Sequence, residues 1–260
     1  MKRSFLFYYS IIFLLITIGL NAQDGPLPSG DLINPRLNLP PRVSIGIKIG
    51  ANIFSPLITH DPSAVYNTTP TGEFVPGFNA GIGAIVAMSG KISLFADVQF
   101  VSSSAKYLIE SGNYLDEFKE DLNQLSIPIG VLYQLGAGGV KYYPMAGLVL
   151  NYLMYSDLSY LYHPYPTESA YTRNGGFDIT FDRNRIHFDA LAGFGFQYQV
   201  KGFFLGLELS YRYGLRNYID TNDMQPMQIY SGSSIPFKYQ SPGFRTHGIM
   251  VNLMIQKPGT

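Results

Sequence analysis

The stretch that decides the fold is "LSIPIGVLYQLGAGGVKYYPMAGLVLNYL", Leu125 to Leu153. Apolar residues recur at every second position on both sides of "GAGG" (136–139), the pattern of two strands joined by a tight turn. Each run carries a proline, Pro128 and Pro144, and the residues between the apolar ones are small or polar rather than charged. The hairpin therefore has one greasy face and one polar face. Which of them meets water decides what kind of sheet this is.

Working outward, the same alternation predicts strands at 43–52, 77–88, 91–103, 123–135, 139–154, 186–200, 203–214 and 244–256. Eight is an even number. The connections alternate in length: 53–76, 104–122, 155–185 and 215–243 are long, while "SGK" (89–91), "GAGG" and "KG" (201–202) are tight. Long and short loops at opposite ends of an antiparallel meander are the pattern of a transmembrane barrel, and strands of ~9–11 tilted residues suffice to cross a bilayer. No segment after the N-terminus reads as a membrane helix, so membrane insertion would have to use strands.

Period two sorts each strand into two faces. One face reads Ile45, Ile47, Ile49; Leu94, Val98, Phe100; Ile127, Ile129, Val131; Leu205, Leu207, Leu209; Val251, Leu253, Ile255. The other holds Lys48, Asp97, Gln99, Gln134, Asn151, Asp189, Gln197, Glu208, Arg212 and Asn252, together with nearly every strand glycine, among them Gly46, Gly83, Gly130, Gly195 and Gly206. Glycine is normally depleted in strands. A small closed barrel gives it a place on the inward side, where large and small side chains must alternate to fill a narrow interior. The wet face is therefore expected inside and the dry face against lipid. A soluble eight-stranded barrel would reverse this, and its exterior would then be rich in glycine and poor in charge, unlike a water-facing surface.

Aromatic residues fit the membrane reading. On the apolar face Tyr133, Tyr142, Tyr198 and Phe203 lie by the short turns, and Phe100, Tyr152, Phe188, Tyr211 and Phe244 lie towards the long loops, as two interfacial girdles would. The prolines do not fit easily. Neither can donate to a ladder, so a bulge or local break is expected at Pro128 and Pro144.

Composition narrows the class. Charged residues are 14% of the chain, against ~25% in ordinary soluble domains. The formal net charge is zero, which argues against a nucleic-acid partner. There is no cysteine, so disulfides, a cysteine zinc site, a cysteine nucleophile and a lipid-modified N-terminal cysteine are excluded. Lys2 and Arg3, the apolar run "FLFYYSIIFLLITIGL" and "NAQ" read as a secretory signal over 1–22, cleaved after Ala22. Cleavage there removes Lys2 and Arg3 and leaves 16 basic residues against 18 acidic. Residues 23–42, including "DGPLPSGDLINPRLNLPPR", read as a Pro-rich periplasmic tail, and 43–256 as the barrel.

Four elements together carry a resemblance: the "NAQ" signal end, the first strand "VSIGIKIGAN", "LNQLSIPIGVLYQL", and the pair "FDALAGFGFQYQV" and "FFLGLELSYRYGL". Over residues 43–256 the chain resembles the small outer-membrane β-barrel family of Bacteroidetes, which includes PorT-like and porin-like proteins. The resemblance implies an outer-membrane location in a Gram-negative bacterium. It fixes no activity, because such members range from pores to secretion accessories. The chain departs from many outer-membrane proteins in ending on "IQKPGT" rather than on an aromatic residue.

Few constellations suggest chemistry. His60 and His163 fall in predicted loops, and "HDPS" (60–63) places His, Asp and Ser in sequence, whereas a triad is a matter of spatial geometry. His187 and Asp189 share an inward strand face, but a metal would need further ligands. No cofactor is implied. The inward charges are more telling. Lys48, Asp97 and Glu208 should lie at similar heights near mid-barrel, with Asp189 and Arg212 higher on adjacent strands. Charges in a narrow interior must pair, and opposed signs favour a structural network that plugs the lumen over a polar pathway. The long loops are rich in Tyr, Asn, Ser and Pro, which suits contact with protein or glycan. "YLDEFKEDL" (114–122) is acidic and reads as a short helical turn.

The sequence thus predicts an all-β, eight-stranded, antiparallel up-and-down transmembrane barrel with both termini periplasmic. The expected role is structural or accessory, with outer-membrane lipid and other cell-envelope proteins, such as secretion or assembly components, as partners. A small passive pore is the alternative, and an outer-leaflet enzyme the third reading.

Overall fold

The computed structural model describes residues 43–60, 71–88, 91–111, 114–136, 139–164, 173–219, 227–229, 237–239 and 243–258. The predicted signal and tail, 1–42, lie outside these residues.

The chain runs β1 (Val43–His60), β2 (Thr71–Glu73), β3 (Val75–Ala87), β4 (Ile92–Ser111), β5 (Tyr114–Tyr133), β6 (Val140–Pro164), β7 (Arg173–Asp178), a single 3-10 turn (Thr180–Asp182), β8 (Ile186–Val200), β9 (Phe203–Gly214), β10 (Met227–Ile229), β11 (Phe237–Tyr239) and β12 (Gly243–Pro258). Eight of these close a ring in the order β4-β3-β1-β12-β9-β8-β6-β5, and β5 returns to pair with β4. All neighbours are antiparallel. β10 and β11 pair as a separate two-stranded sheet. The ring is the eight-stranded up-and-down barrel that the alternation predicts, and β8 and β9 have the predicted ends.

The faces also fall as read. Ile47 is 55% exposed, Ile129 56%, Leu207 46% and Leu253 59%, whereas Lys48, Asp97, Glu208 and Arg212 are each no more than 3% exposed. An exterior of Ile, Leu, Val and Phe from strand to strand would be a large liability in water. Wrapped around a closed barrel with no free edge, it is a surface made for a bilayer. Leu207→Arg, at mid-height of β9, should therefore block assembly, because a midplane Arg on a barrel's lipid face costs ~2–4 kcal/mol. The check is the folded fraction in detergent, read by heat-modifiable migration on gels. Gly206→Leu, one residue along and inward, should fail differently, by crowding Met254 and Gln197.

Phe244 corrects the predicted outer girdle. It is fully buried and stacks on Tyr218 at 5.3 Å between centroids. Its even number places it on the inward face of β12, opposite to Ile249 and Val251. Tyr133, Tyr142, Tyr198, Phe203, Phe188 and Tyr211 do face outward.

Both prolines sit at breaks in a ladder, without a bulge. Pairing of β4 with β5 stops at Ala96↔Ile129 and resumes in the same register at Gln99↔Ser126, skipping Pro128 on that side only. Pairing of β5 with β6 stops at Leu132↔Met145, skips Pro144 and resumes at the bridge Leu135↔Tyr142. Each proline keeps its pairing on the other side, with Val149 and Phe194 respectively. A ring with two neighbours per strand can lose one bond locally and hold its register through the other. The tight turn Lys201–Gly202 has both residues at positive φ, 43° and 87°, which suits a two-residue hairpin loop between right-twisted strands.

The main correction concerns the long loops. Residues 53–60, 104–111, 114–122 and 155–164 continue the strands, and 173–178 adds another. "YLDEFKEDL" is not helical. It is paired on both sides, with β4 and with β6. Within it Phe118, Glu120 and Leu122 are buried, while Glu117, Lys119 and Asp121 lie on the other face, so ladder bonds overrule a sequence that reads locally as helix. The result is a sheet β2-β4-β5-β6-β7 that rises from one side of the ring. β6 alone has 25 residues, roughly 80 Å of contour at ~3.3 Å per residue, far more than a bilayer requires. The rising sheet has its own core of Tyr107, Phe118, Leu158 and Ile179, with Tyr160 and Phe177 against it.

Candidate functional site: the filled lumen and the sheet above it

The lumen is built from strand positions that alternate away from lipid, and its middle is a charge cluster. Lys48 on β1 donates from Nζ to Asp97 Oδ2 on β4 at 2.7 Å and to Glu208 Oε2 on β9 at 2.8 Å. Tyr143 on β6 donates its hydroxyl to the other Glu208 oxygen at 2.8 Å. Gln99 donates to Asp97 at 3.1 Å and accepts from Arg212 Nη2 at 3.0 Å. One lysine thus ties three strands across the barrel, and the carboxylates are further held by a phenol and an amide.

Asp189 and Arg212 lie towards the long-loop end of adjacent strands, where Leu191 is the register partner of Arg212. No ion pair joins them. Asp189 accepts from Asn151 at 2.7 Å, and Ser126 donates to the same asparagine. Asn79 donates to Asn252 between these layers. Below the cluster Gln197 donates to Gln256 at 2.9 Å, and Lys141 lies 4.9 Å from the Phe204 ring centroid.

Glycine is what lets these side chains pack. A Cβ on Gly195 would fall into the Tyr143 ring, and one on Gly83 would fall onto the Asp97 carboxylate. Gly195→Val should therefore displace Tyr143 from Glu208 and lower the melting temperature. Gly193→Val, at the neighbouring inward glycine, should instead press on Met145 and Ser210 and leave the Tyr143 bond in place. Tyrosine fluorescence, uncomplicated by tryptophan, distinguishes the two.

The histidines do not assemble a site. His187 is buried with its ring 3.9 Å from that of Tyr218. His247 lies on the outer surface, with Nδ1 3.2 Å from the Tyr211 hydroxyl and its ring edge-on to Phe74. The His60 and His163 side chains and Asp61–Ser63 lie outside what is described. Among the described residues no group of three His, Asp or Glu side chains could hold a metal ion.

At the long-loop end Tyr218, Phe244, Leu122 and Leu153 belong to a buried apolar cluster. Above them lies a buried pair that sequence reading missed. Arg183, just after the 3-10 turn, donates Nε to Glu120 Oε1 at 2.6 Å and Nη2 to Oε2 at 2.8 Å, and Ser156 donates to Oε1 at 2.7 Å. The alternation Phe118-x-Glu120-x-Leu122 could have shown that Glu120 points inward. Nothing local marks Arg183 as its partner. Next to it the Thr180 hydroxyl and N–H both donate to Asp178 Oδ1, at 2.6 and 2.9 Å, which holds that carboxyl below the usual range.

The chain matches no family model and no curated protein. Several solved structures share its architecture. A major outer membrane protein from Thermus thermophilus has 12% identity, covering 82% of this chain and 98% of that one, with a TM-score of 0.41. Neisserial surface protein A has 12% identity over 81% of this chain and 96% of its own, TM-score 0.38. The attachment invasion locus protein Ail of Yersinia pestis has 12% identity over 82% and 97%, TM-score 0.37. Likenesses this thin are of architecture alone.

Proposed function

We propose that the chain is an integral outer-membrane barrel of the PorT-like and porin-like kind, acting as a scaffold or accessory protein that binds envelope partners through the sheet on its long-loop side. One observation carries the reading. The barrel is filled, and the part that is elaborated is a five-stranded sheet standing clear of the bilayer. A pore would need an open, water-filled lumen. The fill runs in layers from Gln197 and Gln256, through Lys48, Asp97, Glu208 and Tyr143, to Tyr218 and Phe244. Among the described residues the mid-barrel charges are paired with opposite ones. Lys141 is the one charged residue lining a small cavity with Gln134, Gln197 and Gln256 at the short-turn end, whereas an ion-selective pathway would require a ring of like charges.

β1 begins and β12 ends at the short-turn end, and this reading places that end in the periplasm. Two measurements test it. Purified protein in planar bilayers should show conductance near background, and a large ohmic conductance would instead promote a passive pore. A photocrosslinker at Lys119, on the outward face of β5, should give a discrete adduct in native membranes, and one at Leu205 on the lipid face should give lipid adducts only. Lipid adducts alone at both positions would remove the scaffold reading.

A further inference from the structure

The rim of the barrel is not uniform. On the tall side the sheet carries Glu73, Glu117, Asp121, Asp157 and Asp178, with Lys106 and Lys119 engaged in ion pairs among them. On the short side three arginines stand at the ends of neighbouring strands: Arg185 just before β8, Arg216 just after β9, and Arg245 near the start of β12. Arg216 and Arg245 are linked through two asparagines. Arg216 Nη2 donates to Asn184 Oδ1 at 3.3 Å, Asn184 donates to the Asn217 carbonyl at 3.1 Å, and Arg245 Nε donates to Asn217 Oδ1 at 3.0 Å. Arg185 Nη1 donates to the Tyr152 hydroxyl at 3.3 Å. Among the described residues none of the three forms an ion pair with a carboxylate. Asp178 is within electrostatic reach of Arg185, and its Oδ1 accepts from Thr180.

Their height is set by strand length. β9 has 12 residues and, tilted by ~45°, climbs roughly 28 Å, the thickness of the hydrocarbon layer. Ile186, Tyr213 and Leu215 are exposed apolar residues at the long-loop ends of β8 and β9, and the arginines adjoin them. A guanidinium at that level meets headgroups, not acyl chains. Phe181, 86% exposed, lies over the Arg185 guanidinium at 5.5 Å, an aromatic beside a cation at the level where amphipathic groups settle.

We infer that Arg185, Arg216 and Arg245 form a docking rim for the phosphates of an outer-leaflet lipid, a phosphorylated glycolipid whose acyl chains lie on the apolar face of β8, β9 and β12. Guanidinium groups suit phosphate oxygens because paired N–H groups match them in plane. Asn217 holds Arg245 by Nε, Asn184 and the Ile186 carbonyl hold Arg216, Tyr152 holds Arg185 by Nη1, and each guanidinium keeps further N–H groups for the ligand. A lipid held here would fasten the short side of the barrel in the bilayer while the tall side projects. The outward direction of this rim rests on the orientation proposed above. The binding itself does not, since it can be read in micelles, where neither end has a compartment.

The test is thermal melting of the detergent-solubilised full chain with three probes: bis-phosphorylated lipid A, the same lipid with its phosphates removed, and inorganic phosphate. The phosphorylated lipid should raise the melting temperature by roughly 5–10 °C at saturation, and the other two by less than a third of that. The triple variant Arg185→Gln, Arg216→Gln, Arg245→Gln should lose most of the shift, and Lys106→Gln with Lys119→Gln on the tall sheet should keep it. If the triple variant does not refold, each single Gln variant should lose about a third of the shift. A full shift in the arginine variants, or an equal shift from the phosphate-free lipid, overturns the rim. An equal shift from inorganic phosphate overturns the lipid as its source.

Discussion

Lys48→Met should lower the melting temperature of the barrel by on the order of 10 °C. The substitution keeps the volume and removes the charge, so Asp97 and Glu208 are left facing one another in a space where each is no more than 3% exposed. Breaking a buried pair by removing one partner costs ~3–5 kcal/mol, and in a chain of this size each kcal/mol moves the midpoint by about 2–4 °C. Neutralising both carboxylates in the same background, Lys48→Met with Asp97→Asn and Glu208→Gln, should recover most of the loss. Buried ions traded for uncharged groups of like shape are often neutral or better, and Tyr143 and Gln99 still have amides to bond. The carboxylate changes alone, leaving Lys48 unpaired, should be nearly as damaging as Lys48→Met. If Lys48→Met melts like the wild type, the three charges are solvated, and the lumen is wetter than its packing indicates.

The cluster is legible in the bare order of residues because period two is strict inside a bilayer. Between lipid and a narrow lumen each residue has one permissible side, so Lys48, Asp97, Glu208, Asp189 and Arg212 have to face inward. Heights then follow from counting along strands. What the pattern could not give was the partnering of Asp189, which bonds Asn151 and not Arg212. Distance across a ring depends on side-chain reach as well as strand order.

Above the bilayer the same rule lapses. There lipid no longer forbids polar residues on the outer face, so Lys119, Asp121 and Ser159 look like loop, and the apolar stripe that marks a strand is gone. The ladder goes on nevertheless, because the backbone of β4, β5 and β6 gains by continuing to pair whether the far side is lipid or water. Phe244 misleads for a different reason: its aromatic ring near the long-loop end resembles a girdle residue, but period two along β12 sets it opposite to Ile249 and Val251, and Tyr218 stacks on it from within.

The second large effect is expected in that sheet. Arg183 and Glu120 are bonded edge to edge, and both are buried. Arg183 follows the 3-10 turn directly, and its guanidinium ties that turn to β5. Thr180 ties it to β6 through the Ser156 N–H, which donates to its hydroxyl at 2.9 Å. Arg183→Met removes the tie and strands Glu120 with Ser156 as its hydrogen-bonding partner among the described residues, at a cost of ~3–5 kcal/mol by the same reckoning. The consequence should be local, since the turn lies outside the closed ring. Heat-modifiable migration of the barrel should hardly change, while limited proteolysis in detergent should cut within 173–185 at a rate raised about a hundredfold or more, as 1.4 kcal/mol is a factor of ten when opening precedes cleavage. Adding Glu120→Leu should restore much of the protection, because Leu122, Leu158 and Phe118 offer an apolar lining. Unchanged proteolysis in Arg183→Met would mean that the core of Tyr107, Phe118, Leu158 and Ile179 holds the sheet without help. A melted barrel would mean that the sheet and the ring fold as one unit. Only a sheet that opens while the ring stays closed fits a projecting element built on a filled barrel.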